Sequence, residues 1–229
     1  MGMVRTVFII ILFSVSCTLK TSEKGIVKTY QDTTQVRQSE SFDLKVRKYE
    51  DPKRQTWQDP KFVIEALGDL NDKTVADIGS GTGYFTFQMA LPAKKVIAID
   101  IEQRFLNYIE DRKTEMYDRV LAKKIETRIT TANSSSLIEN EVDIVLMVNT
   151  IGYIQDRNSY LQRLRKAITQ DGSIVIVDYK IGKMPVGPDE EVKVSAEEVV
   201  KALERTGFTI DRVDTKSLQY QYLIKARNL

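Results

Sequence analysis

From about residue 57 to the end of the chain, short apolar runs alternate with longer amphipathic stretches. Thr74–Ile78, Lys95–Ile101, Val142–Val148 and Ser173–Tyr179 are rich in Val and Ile and bounded by turn residues. Near-continuous apolar runs of this kind suit strands covered on both faces. Glu126–Thr131 is a weaker strand of the same series. Between these runs, Tyr84–Ala90, Gln103–Lys113 and Ser159–Ile168 carry apolar residues at helical spacing. Ser195-Ala196-Glu197-Glu198 predicts a capping box opening a helix that runs through Arg205 and stops at Gly207. Phe208–Val213 and Tyr220–Lys225 are separated only by a loop and predict an antiparallel pair. The pattern implies an α/β fold: a doubly wound, Rossmann-like, mostly parallel seven-stranded sheet with an antiparallel C-terminal strand.

One turn in this pattern carries chemistry. The strand Val75-Ala76-Asp77-Ile78 runs into Gly79-Ser80-Gly81-Thr82-Gly83, and a helix begins at Tyr84. Alternate glycines let the backbone turn tightly and leave room for a ligand against the main chain. A dinucleotide fingerprint would place its third glycine at position 84, where Tyr84 stands, and the Gly-Lys-Ser/Thr of a triphosphate loop is absent. The next strand ends at Asp100, seventeen positions after Gly83. In a doubly wound sheet that carboxylate projects beside the glycine turn, where it can accept both hydroxyls of a ribose. The two features together point to a nucleoside ligand. The plainer alternative is a tight turn with a solvated Asp cap.

The N-terminus follows a different pattern. The apolar stretch Val7–Val15 follows Arg5 and ends at Ser16-Cys17. A membrane-spanning helix needs ~20 residues, so this run has the length of a secretory leader instead. It is similar to a bacterial lipoprotein signal, with residues 1–16 removed and Cys17 lipidated. Myristoylation at Gly2 and a buried N-terminal helix are the competing readings. Residues 17–48 read as a polar tether and 49–229 as the folded domain.

Composition narrows the chemistry. The chain has no histidine, which excludes His-based triads, imidazole acid–base catalysis and His–metal sites. A single cysteine excludes an intramolecular disulfide and a Cys-based zinc site, so no metal site is expected. The 34 basic and 32 acidic residues leave +2, too balanced for a dedicated polyanion binder, and no nucleic-acid partner is expected.

The residues from about 49 to 227 resemble the class I S-adenosylmethionine-dependent methyltransferases. Asp77-Ile78-Gly79-Ser80-Gly81-Thr82-Gly83 matches the family's first motif and Asp100 its ribose-binding acid. Asp143-Ile144-Val145-Leu146-Met147-Val148-Asn149-Thr150 is similar to its fourth motif. Leu164 through Asp178 looks like the segment into its fifth strand. Tyr49-Glu50-Asp51-Pro52-Lys53-Arg54-Gln55-Thr56-Trp57-Gln58-Asp59-Pro60 is similar to a leader in a bacterial, often exported, lipoprotein-like subgroup. The resemblance implies S-adenosylmethionine as cofactor, held by Asp77, Gly79, Ser80, Gly81, Gly83, Tyr84, Asp100, Ile101, Ser134, Asn149 and Trp57. It implies a methyltransferase acting on a small-molecule acceptor, tethered to the bacterial cell envelope by its lipid anchor, with a cytoplasmic location as the alternative. The subgroup usually carries one or two histidines after Asn-Thr, where this chain has Ile151-Gly152-Tyr153-Ile154. The candidate acceptor-side groups are therefore Tyr153, foremost by position, then Asp156 and Asp178; packing is the plain reading of Tyr153. A module that binds S-adenosylmethionine without turnover is the second function class.

Overall fold

A computed structural model describes residues 42–229, of which Leu44–Leu229 form a compact unit. The apolar run Val7–Val15, Cys17 and most of the expected tether lie outside the described residues. The described chain opens with a helix over residues 42–49 (α1), then α2 (Arg54–Trp57) and α3 (Pro60–Leu67). Asp59 caps α3 by accepting from the Phe62 amide at 3.2 Å, and Pro60 takes the first helical position, where a missing N–H costs nothing.

Strands β1 (Thr74–Ile78), β2 (Lys95–Asp100), β3 (Ile125–Ile129), β4 (Val142–Val148), β5 (Ile168–Tyr179), β6 (Thr209–Asp214) and β7 (Gln221–Arg227) form a sheet ordered β3-β2-β1-β4-β5-β7-β6. The pairs from β3 through β5 are parallel, and β7 lies antiparallel to both of its neighbours. Alternate strand residues feed two cores. Ala76, Ile97, Val145 and Met147 pack with α7 (Arg157–Ala167) and α8 (Ala196–Arg205). Val75, Val96, Ala98 and Leu146 pack with α3, α4 (Tyr84–Ala90) and α5 (Gln103–Glu115). Burial on both faces is why these strands read as continuous apolar runs. The expected capping box is present: Ser195 Oγ accepts from the Glu198 amide, and the Glu198 carboxylate accepts from the Ser195 amide.

Two departures from the sequence reading have local causes. β5 starts at Ile168 rather than Ser173, because Asp171-Gly172, which reads as a turn, is an irregularity inside the strand. Asp171 is left-handed (φ 63°), and a Cβ on Gly172 would lie 2.6 Å from the Asp143 carbonyl oxygen. The short helix α6 (Arg119–Lys123) carries no helical period; Asp118 holds it by accepting from the Val120 and Leu121 amides, each at 2.9 Å.

Candidate functional site

β1 has β2 on one side and β4 on the other, so strand order reverses there and a crevice opens at the carboxyl ends of the strands. The glycine turn lies at that point. Gly79, Gly81 and Gly83 all have left-handed φ, at 74°, 51° and 80°. The amides of Gly79 and Ser80 both donate to the Ile99 carbonyl, at 2.8 and 3.1 Å, which pins the turn to β2. On the other side Thr150 Oγ1 donates to the carbonyls of Ile78 (3.1 Å) and Val148 (3.0 Å), and fills the place a Gly79 side chain would need.

Asp100 is buried beside this turn. Its Oδ2 accepts from the Gly81 amide (2.8 Å) and its Oδ1 from the Glu102 amide (2.9 Å). Burial pushes its pKa up, opposed by these amides. Each oxygen keeps a lone pair for a further donor, so both ribose hydroxyls fit the same carboxylate. Ile101, next along, is exposed. Asp77 is buried beneath the turn, accepts from Thr86 Oγ1 at 2.6 Å, and burial pushes its pKa up to about 6.

That last shift has a measurable sign. A carboxyl with a higher pKa folded than unfolded (~3.9) makes the folded state bind more protons, so its contribution is full below about pH 4 and is lost as the pH rises through about 6. The stability of the unmodified chain relative to Asp77→Asn, measured by urea unfolding, is expected to fall by about 2–3 kcal/mol between about pH 4 and about pH 7. A difference that stays flat with pH would show that burial does not hold this carboxyl neutral.

The leader closes over the turn. The Tyr49 ring stacks on Phe105 (5.3 Å, 24°) and lies 3.1 Å from where a Gly81 Cβ would stand. Ion pairs Lys45–Glu102 (2.9 Å) and Arg112–Glu50 (3.2 Å) hold this segment down. The Arg54 guanidinium sits 4.2 Å from the centre of the Tyr84 ring, donates from Nε to Gln58 Oε1 at 2.7 Å and from Nη1 to the Tyr49 carbonyl. Three buried polar groups, Ser80 Oγ, Thr82 Oγ1 and Gln58 Nε2, have no hydrogen-bond partner among the described residues. Buried polar groups are normally paired, so a ligand carrying both donors and acceptors fits this turn. Tyr49, Arg54 and Gln58 lie inside the leader that the sequence singles out, but only Trp57 stands out there as a site residue. Nothing in the local pattern separates buried Arg54 from exposed Lys53 beside it.

Trp57 packs against Tyr179 at the end of β5 (5.9 Å between ring centres) and so anchors the leader on the sheet. Asn149 is left-handed (φ 57°); its amide donates to the Val177 carbonyl (2.8 Å) and its Oδ1 accepts from Gln221 Nε2, ties to β5 and β7. Ser134 lies in the loop after β3, its Oγ accepting from the Ser136 amide at 3.0 Å. Tyr153 ends the 3₁₀ turn Ile151–Tyr153 with 61% of its surface exposed. Burial of part of the ring and the nearby Tyr49 and Asp178 raise its pKa.

Two acceptor-side candidates have structural duties. Asp156 caps α7 through the Ser159 amide at 3.1 Å. Asp178 is buried, accepts from the Tyr179 amide (2.7 Å) and the Gly152 amide (3.3 Å), and burial pushes its pKa up to about 6. Gly152 does not open the acceptor pocket: a Cβ there would run into the Val192 carbonyl oxygen, so its bareness seats the 3₁₀ turn Glu190–Val192. A cavity of about 500 Å³ lies away from these groups, between the leader and α4, with Glu50, Gln55, Lys61, Tyr84 and Arg112 in its wall.

A family model described as a methyltransferase domain matches residues 69–226. A solved S-adenosylmethionine-dependent methyltransferase from Aquifex aeolicus is similar at 26% identity, with a TM-score of 0.73 over 81% of this chain and 97% of that one. One from Mesorhizobium loti shares the fold at 14% identity, with a TM-score of 0.61 over 73% of this chain and 96% of that one. Among curated relatives, ribosomal RNA small subunit methyltransferase A from Staphylococcus carnosus is 28% identical over 125 residues, 53% of this chain and 41% of that protein. The same enzyme from Staphylococcus aureus strain JH9 is 30% identical over 125 residues, again 41% of its length. The chain thus spans about two fifths of the length of these curated relatives.

Proposed function

The chain belongs to the methyltransferase domain family, as a class I S-adenosylmethionine-dependent enzyme, and on that premise we propose that it methylates a small molecule received beside Tyr153. The observation that carries this is the exposed Tyr153 ring, in the 3₁₀ turn that follows β4 and within electrostatic reach of Tyr49, which lies against Gly81. When bound, S-adenosylmethionine supplies an activated methyl group on its sulfonium. The chain's own part is positioning, and a reaction held in line at near-contact distance needs little else. Asp100 accepts the ribose hydroxyls, the glycine turn admits the ligand against its backbone, and Tyr49 excludes water from above Gly81. Ser134, Ile101 and Asn149 border the same crevice, and Trp57 keeps the leader closed on Tyr179.

Tyr153 orients the acceptor by hydrogen bonding. Its raised pKa keeps the phenol protonated at neutral pH, so it is a donor to the acceptor rather than a base. An acceptor that is already nucleophilic, such as a thiol or a neutral amine, suits a site without imidazole. Tyr153→Phe is expected to leave cofactor affinity within about twofold while lowering transfer roughly tenfold, the worth of about one hydrogen bond. Calorimetry with S-adenosylhomocysteine and a methyl-transfer screen measure the two; loss of cofactor binding would make Tyr153 a packing residue.

RNA is the second acceptor class, carried by the ribosomal RNA methyltransferases among the relatives despite the balanced charge of the chain. Labelled cofactor offered in parallel to a small-molecule panel and to bacterial RNA separates the two readings. The N-terminal pattern of Arg5, the apolar run and Ser16-Cys17 supports anchoring of the mature chain to the bacterial envelope by lipid on Cys17. Intact-mass measurement of native material is expected to show loss of residues 1–16 and gain of an acyl mass; an unmodified Met1 would overturn it.

A further inference from the structure

We propose that the end of the domain opposite the crevice docks on the surface of an anionic lipid bilayer, through Leu91 and Lys94 after α4 and Tyr117, Arg119, Val120 and Lys123 around α6. The inference goes beyond the methyl-transfer reading and does not depend on it.

α4 and α5 begin at the carboxyl ends of β1 and β2 and run back along the sheet, so their last turns lie at the amino ends of the strands. Pro92 stops α4 and Ala93 is fully buried, which leaves Leu91 and Lys94 facing outward. α6 is fixed beside them. Lys124 Nζ donates to the carbonyls of Ala90 and Leu91, each at 3.2 Å, and the Lys124 carbonyl accepts from the Val96 amide at 2.9 Å. Val120 stands one helical turn before Lys124, and Tyr117 lies just ahead of the cap Asp118. Leu91, Tyr117 and Val120 are 66%, 103% and 73% exposed. Single exposed apolar side chains are ordinary. Three on two adjoining segments, set among exposed Lys94, Arg119 and Lys123, make a mixed apolar and basic face. Its acids are partly spent: Asp118 accepts from the Val120 and Leu121 amides, and Glu126 pairs with Lys95 at 2.5 Å. Exposed Glu115 and Asp72 remain, against Lys94, Arg119, Lys123 and Lys124.

A bilayer surface selects this combination. Aliphatic side chains enter the boundary between headgroups and acyl chains, a tyrosine ring sits at headgroup level, and lysine and arginine meet the anionic lipid. A nucleic acid would use the same cations but gain little from Leu91 and Val120, because its recognition runs on phosphates and stacked rings. The lipid anchor proposed on Cys17 is compatible with this face. Residues 18–41 separate Cys17 from the described chain. A stretch of that length reaches at most about 80 Å, against roughly 40 Å across a domain of this size. Such a tether holds the domain near the bilayer without choosing the face that meets it, and the basic and apolar end makes that choice. Docking there leaves the crevice, at the other end of the strands, open to water and to a soluble acceptor.

Co-sedimentation of the full chain tests this with vesicles of phosphatidylcholine alone and of phosphatidylcholine with phosphatidylglycerol in equal amounts. Apolar contacts of the N-terminal run act on both vesicles alike, so the ratio of the two affinities reads the charged face. The unmodified chain is expected to prefer the anionic vesicles roughly 10- to 100-fold at low salt, and less as salt is added. Lys94→Glu with Lys123→Glu should cut that preference roughly tenfold. Leu91→Ser with Val120→Ser should weaken binding to the anionic vesicles by a similar factor. All four positions are exposed, so an unchanged thermal unfolding midpoint is expected for both pairs. Equal binding to the two vesicles, or a preference that neither pair of substitutions alters, overturns the proposal. Bacterial RNA bound through Lys94 and Lys123 without any vesicle preference would give the face to a nucleic acid instead. A dimer in sedimentation that Leu91→Ser with Val120→Ser breaks, again without vesicle preference, would give it to a second copy of the chain.

Discussion

Gly79→Ala is expected to lower the unfolding free energy by about 2–5 kcal/mol, adding ~1–2 for a left-handed alanine to ~1–3 for an overpacked core. Gly79 has φ 74°, and an added Cβ would fall on the Thr150 hydroxyl and within 2.9 Å of its methyl group. Thr150 cannot simply withdraw, because its hydroxyl donates to the carbonyls of Ile78 and Val148 and so ties β1 to β4 at the crevice. Urea unfolding is the measurement, and a loss below about 1 kcal/mol would mean that Thr150 is free to move. Gly81→Ala makes the contrast. Its φ of 51° tolerates a side chain no better, but its neighbour is the edge of the Tyr49 ring at 3.1 Å, carried on the leader rather than on the sheet. The smaller stability loss is expected there, with the larger effect on ligand binding.

Asp100→Ala is expected to damage binding and folding together. The ribose would lose its acceptor, at about 1–3 kcal/mol or roughly tenfold and more in affinity. The same truncation strands the amides of Gly81 and Glu102, which the two carboxylate oxygens now accept at 2.8 and 2.9 Å. The stranded Gly81 donor is buried and costs about 1–3 kcal/mol, the half-buried Glu102 donor less, so thermal unfolding should shift by several degrees as well. Asp100→Asn separates the effects, since it keeps the shape and one acceptor oxygen and should cost less stability than Asp100→Ala. Wild-type affinity for S-adenosylhomocysteine in Asp100→Ala would remove the ribose from this carboxylate.

The paired roles of Gly79 and Asp100 show how much of the site is local. Three alternate glycines after an apolar strand and an acid at the next strand end need no partner to be recognised, because their backbone demands are written in their own residue types. β1 and β4 match their sequence ranges residue for residue, as does α4. The capping box at Ser195 and Glu198 is local in the same sense. Irregularity within an element is harder to read. Asp171-Gly172 has turn composition, yet pairing across to β4 and β7 absorbs it into β5.

By itself, then, the sequence determined the main strand and helix pattern, the left-handed glycine turn with an acid at the end of the next strand, and the exclusion of imidazole chemistry. Each of these depends on short-range periodicity, on left-handed backbone positions, or on composition alone. The tertiary structure decided which polar residues lose water and what faces them. It buried Arg54 while leaving Lys53 exposed, left Ser80 Oγ, Thr82 Oγ1 and Gln58 Nε2 without a hydrogen-bond partner among the described residues, and set Tyr49 over Gly81. It also gave Asp156 and Asp178 to backbone amides and Gly152 to the seat of Val192, and left Tyr153 the exposed one of the three expected candidates after β4. Desolvation and close approach are properties of segments far apart in the chain, such as the leader at residue 54 and the turn at residue 80, and come into being only when those segments pack together.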